Sequence, residues 1–218
     1  MKKIMFNDKY GLTEAVLKGR KTMTRRIVPE MFRFSDGMAN VEEVAKACCD
    51  DHDIFDYLTC HSPFRPFQYL AVAQSYKTIS GTGEPVMLLG DEIGNTGKFE
   101  VINSKTTAGW DNKMFVKAWY MPYQIRITYI NAERLQNISN EDCLKEGIYY
   151  DKEGGQSIGY PFAVPFYYTF DGAIGKNGKQ LHWATPREAF MELIDRVSGK
   201  GTWDSNPIVW VYEFELVS

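Results

Sequence analysis

The chain has 218 residues, 44% apolar and 14% aromatic, which is enough for one sizeable core and fits a single domain with insertions over residues 1–218. No apolar run long enough for a transmembrane helix occurs, and the N-terminus turns polar too soon for a signal peptide, so we expect a cytoplasmic protein without a membrane partner. The net charge is −3, but residues 1–34 hold nine basic and three acidic residues (+6), whereas the remainder holds 16 basic and 25 acidic residues (−9). Such a basic segment can attract phosphates, although a solvated surface without any ligand is the alternative.

The first third of the chain predicts two helices separated by a strand. Residues 10–18 place apolar side chains at helical spacing, and Gly19 stands where a helix ends. Residues 20–28 alternate in character before Pro29 and predict a loop that enters a strand. Helical spacing returns over residues 41–58, where we expect a second helix.

The middle of the chain predicts two strands and a short helix. Residues 69–76 form an apolar run between prolines and a glycine-containing turn, which favours a strand. Residues 77–112 are rich in Gly, Thr and Asn and indicate an insertion. Isoleucines alternate with polar residues over positions 123–130, the clearest strand pattern in the chain. Ser139 then fits the N-cap of a short helix that ends at Gly147.

The last third predicts a second insertion, a helix and a closing strand. Residues 149–183 are rich in glycine and aromatic side chains without a clean period, so they pack on the rest of the fold or, alternatively, form a protein-interaction surface. Thr185 and Pro186 begin an amphipathic helix, and residues 208–216 form the closing strand. Short strands among short helices and two long insertions predict an α+β fold, specifically a small β-barrel.

The four cysteines are typical of a reducing compartment rather than of a disulfide scaffold. Potential zinc ligands lie close together in the sequence: Cys48, Cys49, His52, Cys60 and His61. Neighbouring cysteines usually point in different directions, however, and no C-x2-C pair is present. We therefore predict no metal site, and no feature indicates a cofactor.

The segment 19–26 is the densest group of polar side chains in the chain. Its candidates for ligand contacts are Arg20, Lys21, Thr24, Arg25 and Arg26. A lysine offers a mobile positive charge, or a base if burial lowers its pKa, whereas an arginine offers a fixed fork of donors for phosphate. By residue type alone the segment indicates anion binding more than catalysis.

The pattern Gly19-x-Lys21-x-x-Thr24-x-Arg26 resembles the G-x-K-x-x-E-x-R signature of ASCH domains. Further blocks are similar to a subgroup common in phages and prophages, in this order along the chain: Asn112 to Lys117, Met121-Pro122, Ile125 to Thr128, Glu133 to Asp142, Glu146-Gly147, and Gly201 to Phe214. These blocks cover both ends and the middle of the chain. One signature position differs, because Thr24 stands where the family usually has Glu.

The resemblance implies a PUA-like β-barrel with a cleft contacted by Lys21 and Arg26 and supported by Glu146. The departure at Thr24 is informative. Small bacterial ASCH amidohydrolases, which remove the acyl group from N4-acetylcytidine, carry Lys and Thr at this same spacing and a Glu that aligns with Glu146.

One hypothesis for function is a binding module for RNA or for a modified nucleoside. Lys21, Arg25 and Arg26 would neutralise phosphate, and Tyr76 or Trp110 would stack on a base. The alternative without function is that Lys21, Thr24 and Glu146 form an ordinary surface ion pair and turn hydrogen bond.

A second hypothesis is an amidohydrolase that acts on N-acylated cytidine. Thr24 would be the nucleophile, Lys21 its base, and Glu146 an acid/base or orienting group. A carboxylate beside Lys21 raises its pKa, the wrong direction for a base. Either burial outweighs this pairing, or Lys21 stays charged and stabilises an oxyanion while Glu146 activates water. On the sequence alone the second arrangement is favoured.

Overall fold

The computed structural model describes residues 1–35, 37–48, 51–81, 86–89, 99–102, 107–152, 165–169 and 181–217. The strands in chain order are β1 (Lys2–Ile4), β2 (Met23–Ile27), β3 (Met31–Phe34), β4 (Gly37–Asn40), β5 (Tyr69–Val72), β6 (Val86–Leu89), β7 (Phe99–Ile102), β8 (Gln124–Arg134), β9 (Tyr149–Asp151), β10 (Phe166–Tyr168) and β11 (Ile208–Val217). The helices are α1 (Leu12–Leu17), α2 (Val41–Ala47), α3 (Asp51–Cys60), α4 (Tyr76–Ser80), α5 (Asn140–Lys145), α6 (Pro186–Ser198) and α7 (Thr202–Ser205). Short 3-10 turns span Asp8–Tyr10, Lys113–Phe115, Ala118–Tyr120 and Leu135–Asn137.

Five strands form the main sheet in the order β1-β5-β8-β11-β2. Only β1 and β5 run parallel, and the other neighbours are antiparallel. Two-stranded ladders join β3 to β4, β6 to β7 and β9 to β10. The predicted α+β class is confirmed. Within the described ranges no ladder joins the edge strands β1 and β2, so this sheet is open rather than a closed barrel.

The longest pair of strands in the sheet is β8–β11. On β8, Ile125 and Ile127 are fully buried while Gln124 and Arg126 are partly exposed, the alternation expected of a strand with one face on the core. The first five residues of β11, from Ile208 to Tyr212, are all buried, so this central strand is covered on both faces. The predicted strands at 123–130 and 208–216 are confirmed, and the first of them continues to Arg134.

Helix α6 packs against α5, α7 and β10 and begins where the sequence predicts. The Thr185 hydroxyl accepts from the Glu188 backbone N–H at 3.2 Å, and the Glu188 carboxylate accepts from the Thr185 backbone N–H, a complete capping box with Pro186 at the first helical position. The face that the helix turns to the core consists of Ala189, Phe190, Leu193 and Ile194.

Two predicted helices have different bounds in the structure. Gly11, with φ of +62°, separates the 3-10 turn Asp8–Tyr10 from α1, because a residue in that conformation cannot continue a right-handed helix. The predicted helix over 41–58 is two helices, since Cys48 takes an extended conformation after α2.

The strand predicted over 69–76 ends at Val72. Ser75 instead caps α4, its hydroxyl accepting from the Thr78 backbone N–H at 3.2 Å. A local side-chain cap thus redirects an apolar run that by composition suits a strand.

The structure describes only parts of the two predicted insertions. The region 77–112 contributes the β6–β7 hairpin, and the described ends of 149–183 pair as β9 and β10, with a bridge from Tyr167 to Trp183. Residues 153–164 and 170–180 lie outside the described residues, so the interaction surface proposed for this insertion remains a prediction. Among the helices that the structure describes, none is long and apolar enough to cross a membrane.

Candidate functional site

The position of Lys21 is fixed by the way α1 ends. Gly19 adopts φ of +70°, and the backbone N–H groups of Arg20 and Lys21 both donate to the Ala15 carbonyl, at 2.9 and 3.0 Å. The next residue, Thr22, donates its backbone N–H to the carbonyl of Lys145 at 2.9 Å. The chain after α1 is therefore held against the end of α5, where Glu146 lies.

Glu146 is positioned by a short, well-capped helix. The Ser139 hydroxyl accepts from the Asp142 N–H at 3.0 Å, as the sequence predicts, and the Glu146 N–H donates to the Asp142 carbonyl at 2.8 Å. Gly147 follows with φ of +101°, a conformation that favours glycine. A Cβ at Gly147 would lie 3.4 Å from the Cβ of Lys21, so the backbones of the two segments meet closely here.

Lys21 and Glu146 form a buried pair. The Lys21 Nζ donates to Glu146 Oε2 at 2.6 Å and to the Glu146 backbone oxygen at 2.7 Å, and the two side chains are 3% and 5% exposed. Burial lowers the pKa of Lys21 below its ordinary value; the neighbouring carboxylate opposes this effect, and Arg26 and Arg25 add to it. The sequence left open whether burial or the pairing with Glu146 has the larger effect on the pKa of Lys21. The lowered pKa corresponds to the arrangement in which burial has the larger effect.

Arg25 lies behind this pair among three carboxylates. Its Nε and Nη2 contact one oxygen of Glu133 at 3.1 and 2.8 Å, its Nη2 contacts Asp142 at 3.1 Å, and its Nη1 lies 3.4 Å from Glu146 Oε1. The guanidinium is almost fully buried. Although burial opposes its charge, the three acids raise the pKa of Arg25 above its usual value, so it is a permanent cation. The predicted role of Arg25 in contacting phosphate therefore needs correction.

Lys21, Thr24 and Glu146 line one cavity of about 320 Å³. Its polar wall also includes Arg25, Arg26 and Asn7. The apolar part of the lining, called the apolar wall below, consists of Met5, Phe6, Leu12, Ile27, Phe190, Leu193, Ile194 and Val197. The volume is that of a small-molecule site, since ligand pockets in proteins begin at about 300 Å³. The cavity can therefore hold a molecule that has both a polar and an apolar part.

Arg26 also lines this cavity, and the described residues do not use all of its hydrogen-bond donors. It donates from Nη2 to the Met5 carbonyl, and its guanidinium carbon lies 5.7 Å from the centre of the Phe6 ring. Its Nε is buried and has no hydrogen-bond partner among the described residues. Burial lowers the pKa of Arg26, yet an arginine remains charged at neutral pH.

Arg20 and Tyr76 do not join the site. Arg20 lies over the ring of Tyr149, 5.6 Å from its centre, and is not part of the cavity wall. Tyr76 is 3% exposed and packs with Trp110 in a separate small core. Neither buried ring offers a face to a base, so the prediction that Tyr76 or Trp110 stacks on RNA needs correction.

Sequence reasoning missed the apolar wall and the acids around Arg25. The face of α6 was recognised as apolar, but a pattern of this kind does not distinguish side chains that line a cavity from those that fill a core. Glu133 and Asp142 lie in a block that carries the family resemblance, and this was the only signal that could have singled them out.

Much of the basic N-terminal segment is engaged within the protein. Lys2 donates to the Pro63 carbonyl at 2.8 Å, Lys3 donates to carbonyls that include Val116 at 2.9 Å, and Lys18 pairs with Glu14 at 2.6 Å. Together with the pairing of Lys21 and Arg25, these contacts reduce the charge that the segment can offer to phosphates.

The described part of the chain contains no group of three His, Cys, Asp or Glu side chains that could hold a metal ion. Of the potential zinc ligands, Cys49 and the side chain of His52 lie outside the described residues. Cys48, Cys60 and Cys143 are free thiols, and burial raises the pKa of Cys143 to about 12, which makes it an inert core residue. Comparisons with family models, with curated proteins and with solved structures find no match to this chain.

Proposed function

We propose that this protein is an ASCH-type, PUA-like amidohydrolase that removes the acyl group from an N-acylated nucleoside such as N4-acetylcytidine. The observation that carries this proposal is the buried Lys21–Glu146 pair, which lines the same small cavity as Thr24. The resemblance of the segment 19–26 to ASCH amidohydrolases supplies the reaction class. The mixed sheet and flanking helices are compatible with a PUA-like fold, in which the open edges of the described sheet would lie next to each other.

The hydrogen bonds of Lys21 suit a base. A neutral amine has two N–H donors and one lone pair, and Glu146 accepts both donors, through its backbone oxygen at 2.7 Å and through Oε2 at 2.6 Å. The lone pair is then available for a proton from the Thr24 hydroxyl. The burial that lowers the pKa of Lys21 increases the fraction of neutral amine near neutral pH.

Glu146 fits an orienting role better than the activation of water. Its Oε2 is bound by Lys21, and its Oε1 faces the Arg25 guanidinium at 3.4 Å. Because each carboxylate oxygen accepts a hydrogen bond from a basic side chain, neither is left open to take a proton from water. This geometry favours Lys21 as the base, which is the arrangement that the sequence alone did not favour.

The reaction then takes three steps. Thr24 Oγ1 attacks the acyl carbon while Lys21 takes the hydroxyl proton, and the Arg26 guanidinium in the cavity wall stabilises the oxyanion. The C–N bond breaks as the exocyclic nitrogen takes the proton back from Lys21 and leaves as the free amine. Water attacks the acyl-threonine ester with Lys21 again as base, releasing the carboxylic acid and restoring Thr24.

Binding of an RNA segment is less well supported by the same geometry. The cavity has the volume of a small-molecule site, the candidate stacking rings are buried, and Lys21 and Arg25 are paired with carboxylates. A site that binds RNA along its phosphate backbone instead needs several exposed cations and exposed aromatic faces.

The test is incubation of the purified protein with N4-acetylcytidine and detection of cytidine by chromatography. We expect turnover in the wild type, retention in Thr24→Ser, and a loss of about 10³-fold or more in Thr24→Val and Lys21→Met. Lys18→Met, which alters an exposed lysine of the same segment, is the matched control and should keep full activity. Absence of turnover at high enzyme concentration, with or without RNA binding, would overturn the proposal.

A further inference from the structure

Arg25 connects three elements of the fold through one guanidinium. The residue lies on β2, its partner Glu133 lies on β8, and Asp142 lies on α5. Because β11 stands between β2 and β8 in the sheet, the Arg25 side chain crosses a whole strand to reach Glu133. Nη1 also lies 3.1 Å from the Met23 sulfur, so Nε, Nη1 and Nη2 all have partners.

The guanidinium shares one carboxylate with Lys21. Glu146 presents Oε1 to Arg25 at 3.4 Å and Oε2 to Lys21 at 2.6 Å, and all three side chains are 5% exposed or less. A carboxylate that accepts hydrogen bonds from two basic side chains is fixed in orientation, and each neighbour feels only part of its negative charge.

We propose that Arg25 is a positioning residue that clamps the Glu146 carboxylate against Lys21 and holds part of its charge away from the lysine, so that Lys21 serves as the base. This inference rests on the proposed function for its catalytic meaning, but the clamp itself is a property of the folded protein. In this role Arg25 orients Glu146 and does not contact a ligand.

The charges that face Lys21 agree in sign with this role. Glu146 favours its ammonium form, while Arg25 and Arg26 disfavour it. Glu133 and Asp142 act on Lys21 through Arg25, because both attract the guanidinium away from Glu146. Removing the Arg25 charge takes one cation away from each of the three carboxylates, although Glu146 keeps Lys21 and Asp142 keeps Lys145. More of the Glu146 charge then acts on Lys21 and increases its proton affinity.

The decisive measurement is the titration of the Lys21 Cε signal by ¹³C NMR, assigned by its absence in Lys21→Met. In Arg25→Gln we expect the midpoint to move to higher pH by about one pH unit or more, the effect of losing a like charge a few ångströms away. In Arg25→Lys, which keeps the charge but not the fork, the midpoint should move less. Arg126→Gln removes an arginine paired with Glu215 on the exposed side of the sheet and should leave it unchanged.

A second variant guards against the chance that Arg25→Gln fails to fold. Glu133 is 21% exposed, so Glu133→Gln is a milder change. It releases the guanidinium toward Glu146 and should move the Lys21 midpoint to lower pH, opposite in sign to Arg25→Gln. A contribution to folding alone would not produce shifts of opposite sign. A Lys21 midpoint that stays at the wild-type pH in a folded variant at either position would overturn the inference.

The two proposals fail in different ways. If N4-acetylcytidine is not hydrolysed but the Lys21 midpoint shifts as described, the clamp is established and the proposed reaction is wrong. If hydrolysis occurs but the acidic limb of the kcat/KM profile, which reports the pKa of the base, is the same in wild type and Arg25→Gln, the reaction is established and the clamp is wrong.

Discussion

The Lys21 Nζ lies 2.6 Å from Oε2 of Glu146, although the two residues are 125 positions apart in the chain. Both side chains are almost completely buried. Ion pairs removed from water in this way are expensive to form and more expensive to break, because the remaining partner is left without compensation. This relationship links the stability of the protein directly to its candidate site.

Breaking the pair should cost more from the Glu146 side than from the Lys21 side. In Glu146→Gln the lysine loses the carboxylate with which it pairs, and we expect a loss of about 3 kcal/mol in the free energy of unfolding. In Lys21→Met the carboxylate still has Arg25 at 3.4 Å, so the loss should be smaller. Urea unfolding followed by tryptophan fluorescence measures both. Glu14→Gln, in the exposed pair with Lys18, is the control and should leave the urea midpoint unchanged. Equal losses in both site variants would contradict the prediction.

The stability difference between wild type and Lys21→Met should depend on pH. The folded-state pKa of Lys21 is lowered by burial, so between that pKa and the unfolded value of about 10.4 the unfolded chain binds more protons than the folded one. Stability contributed at this position therefore rises as pH increases through the folded-state pKa. We expect the free energy of unfolding of the wild type to improve relative to Lys21→Met between pH 7 and pH 10. A difference that moves in favour of the variant would show that the pKa is raised instead.

The apolar wall of the cavity should affect ligand binding without affecting the fold. Val197 lines the cavity and Met191 is not among its lining residues, yet both lie on α6 and both are 38% exposed. For Val197→Ala we expect the Kd of N4-acetylcytidine to rise roughly fourfold for each methyl group that contacts the ligand, at about 0.8 kcal/mol per group. Met191→Ala should leave the Kd unchanged. Isothermal titration with the inactive Thr24→Val background separates binding from turnover, and equal effects of the two alanine variants would exclude this wall from the site.

Gly109 should tolerate alanine less well than Gly199. Both glycines have positive φ, +100° and +115°, so alanine is strained at either position. At Gly109 the added Cβ would also lie 3.0 Å from the Tyr76 ring and 3.1 Å from Val116, whereas nothing lies within 4 Å at Gly199. We expect a loss of about 1 kcal/mol in Gly199→Ala and clearly more in Gly109→Ala, measured by urea unfolding. Similar losses in the two variants would mean that the side chains around Tyr76 can move to accommodate the added Cβ without a loss of stability.

Much of the local structure could be predicted from the sequence because it depends on neighbours in the chain. The capping box at Thr185, the N-cap at Ser139 and the alternation that becomes β8 are all decided within a few residues. The grouping of Lys21, Thr24 and Arg26 could also be predicted, since it lies within a single octapeptide whose pattern resembles a known family.

Only the tertiary structure decided what these residues do to one another. It showed that burial at the meeting point of α1 and α5 overcomes the carboxylate beside Lys21, that Arg25 is used to hold acids rather than phosphate, and that Tyr76 is a core residue. The physical reason is that periodicity and capping report the environment along one element. Desolvation and charge sharing instead depend on which elements meet, and in this fold they join positions more than a hundred residues apart.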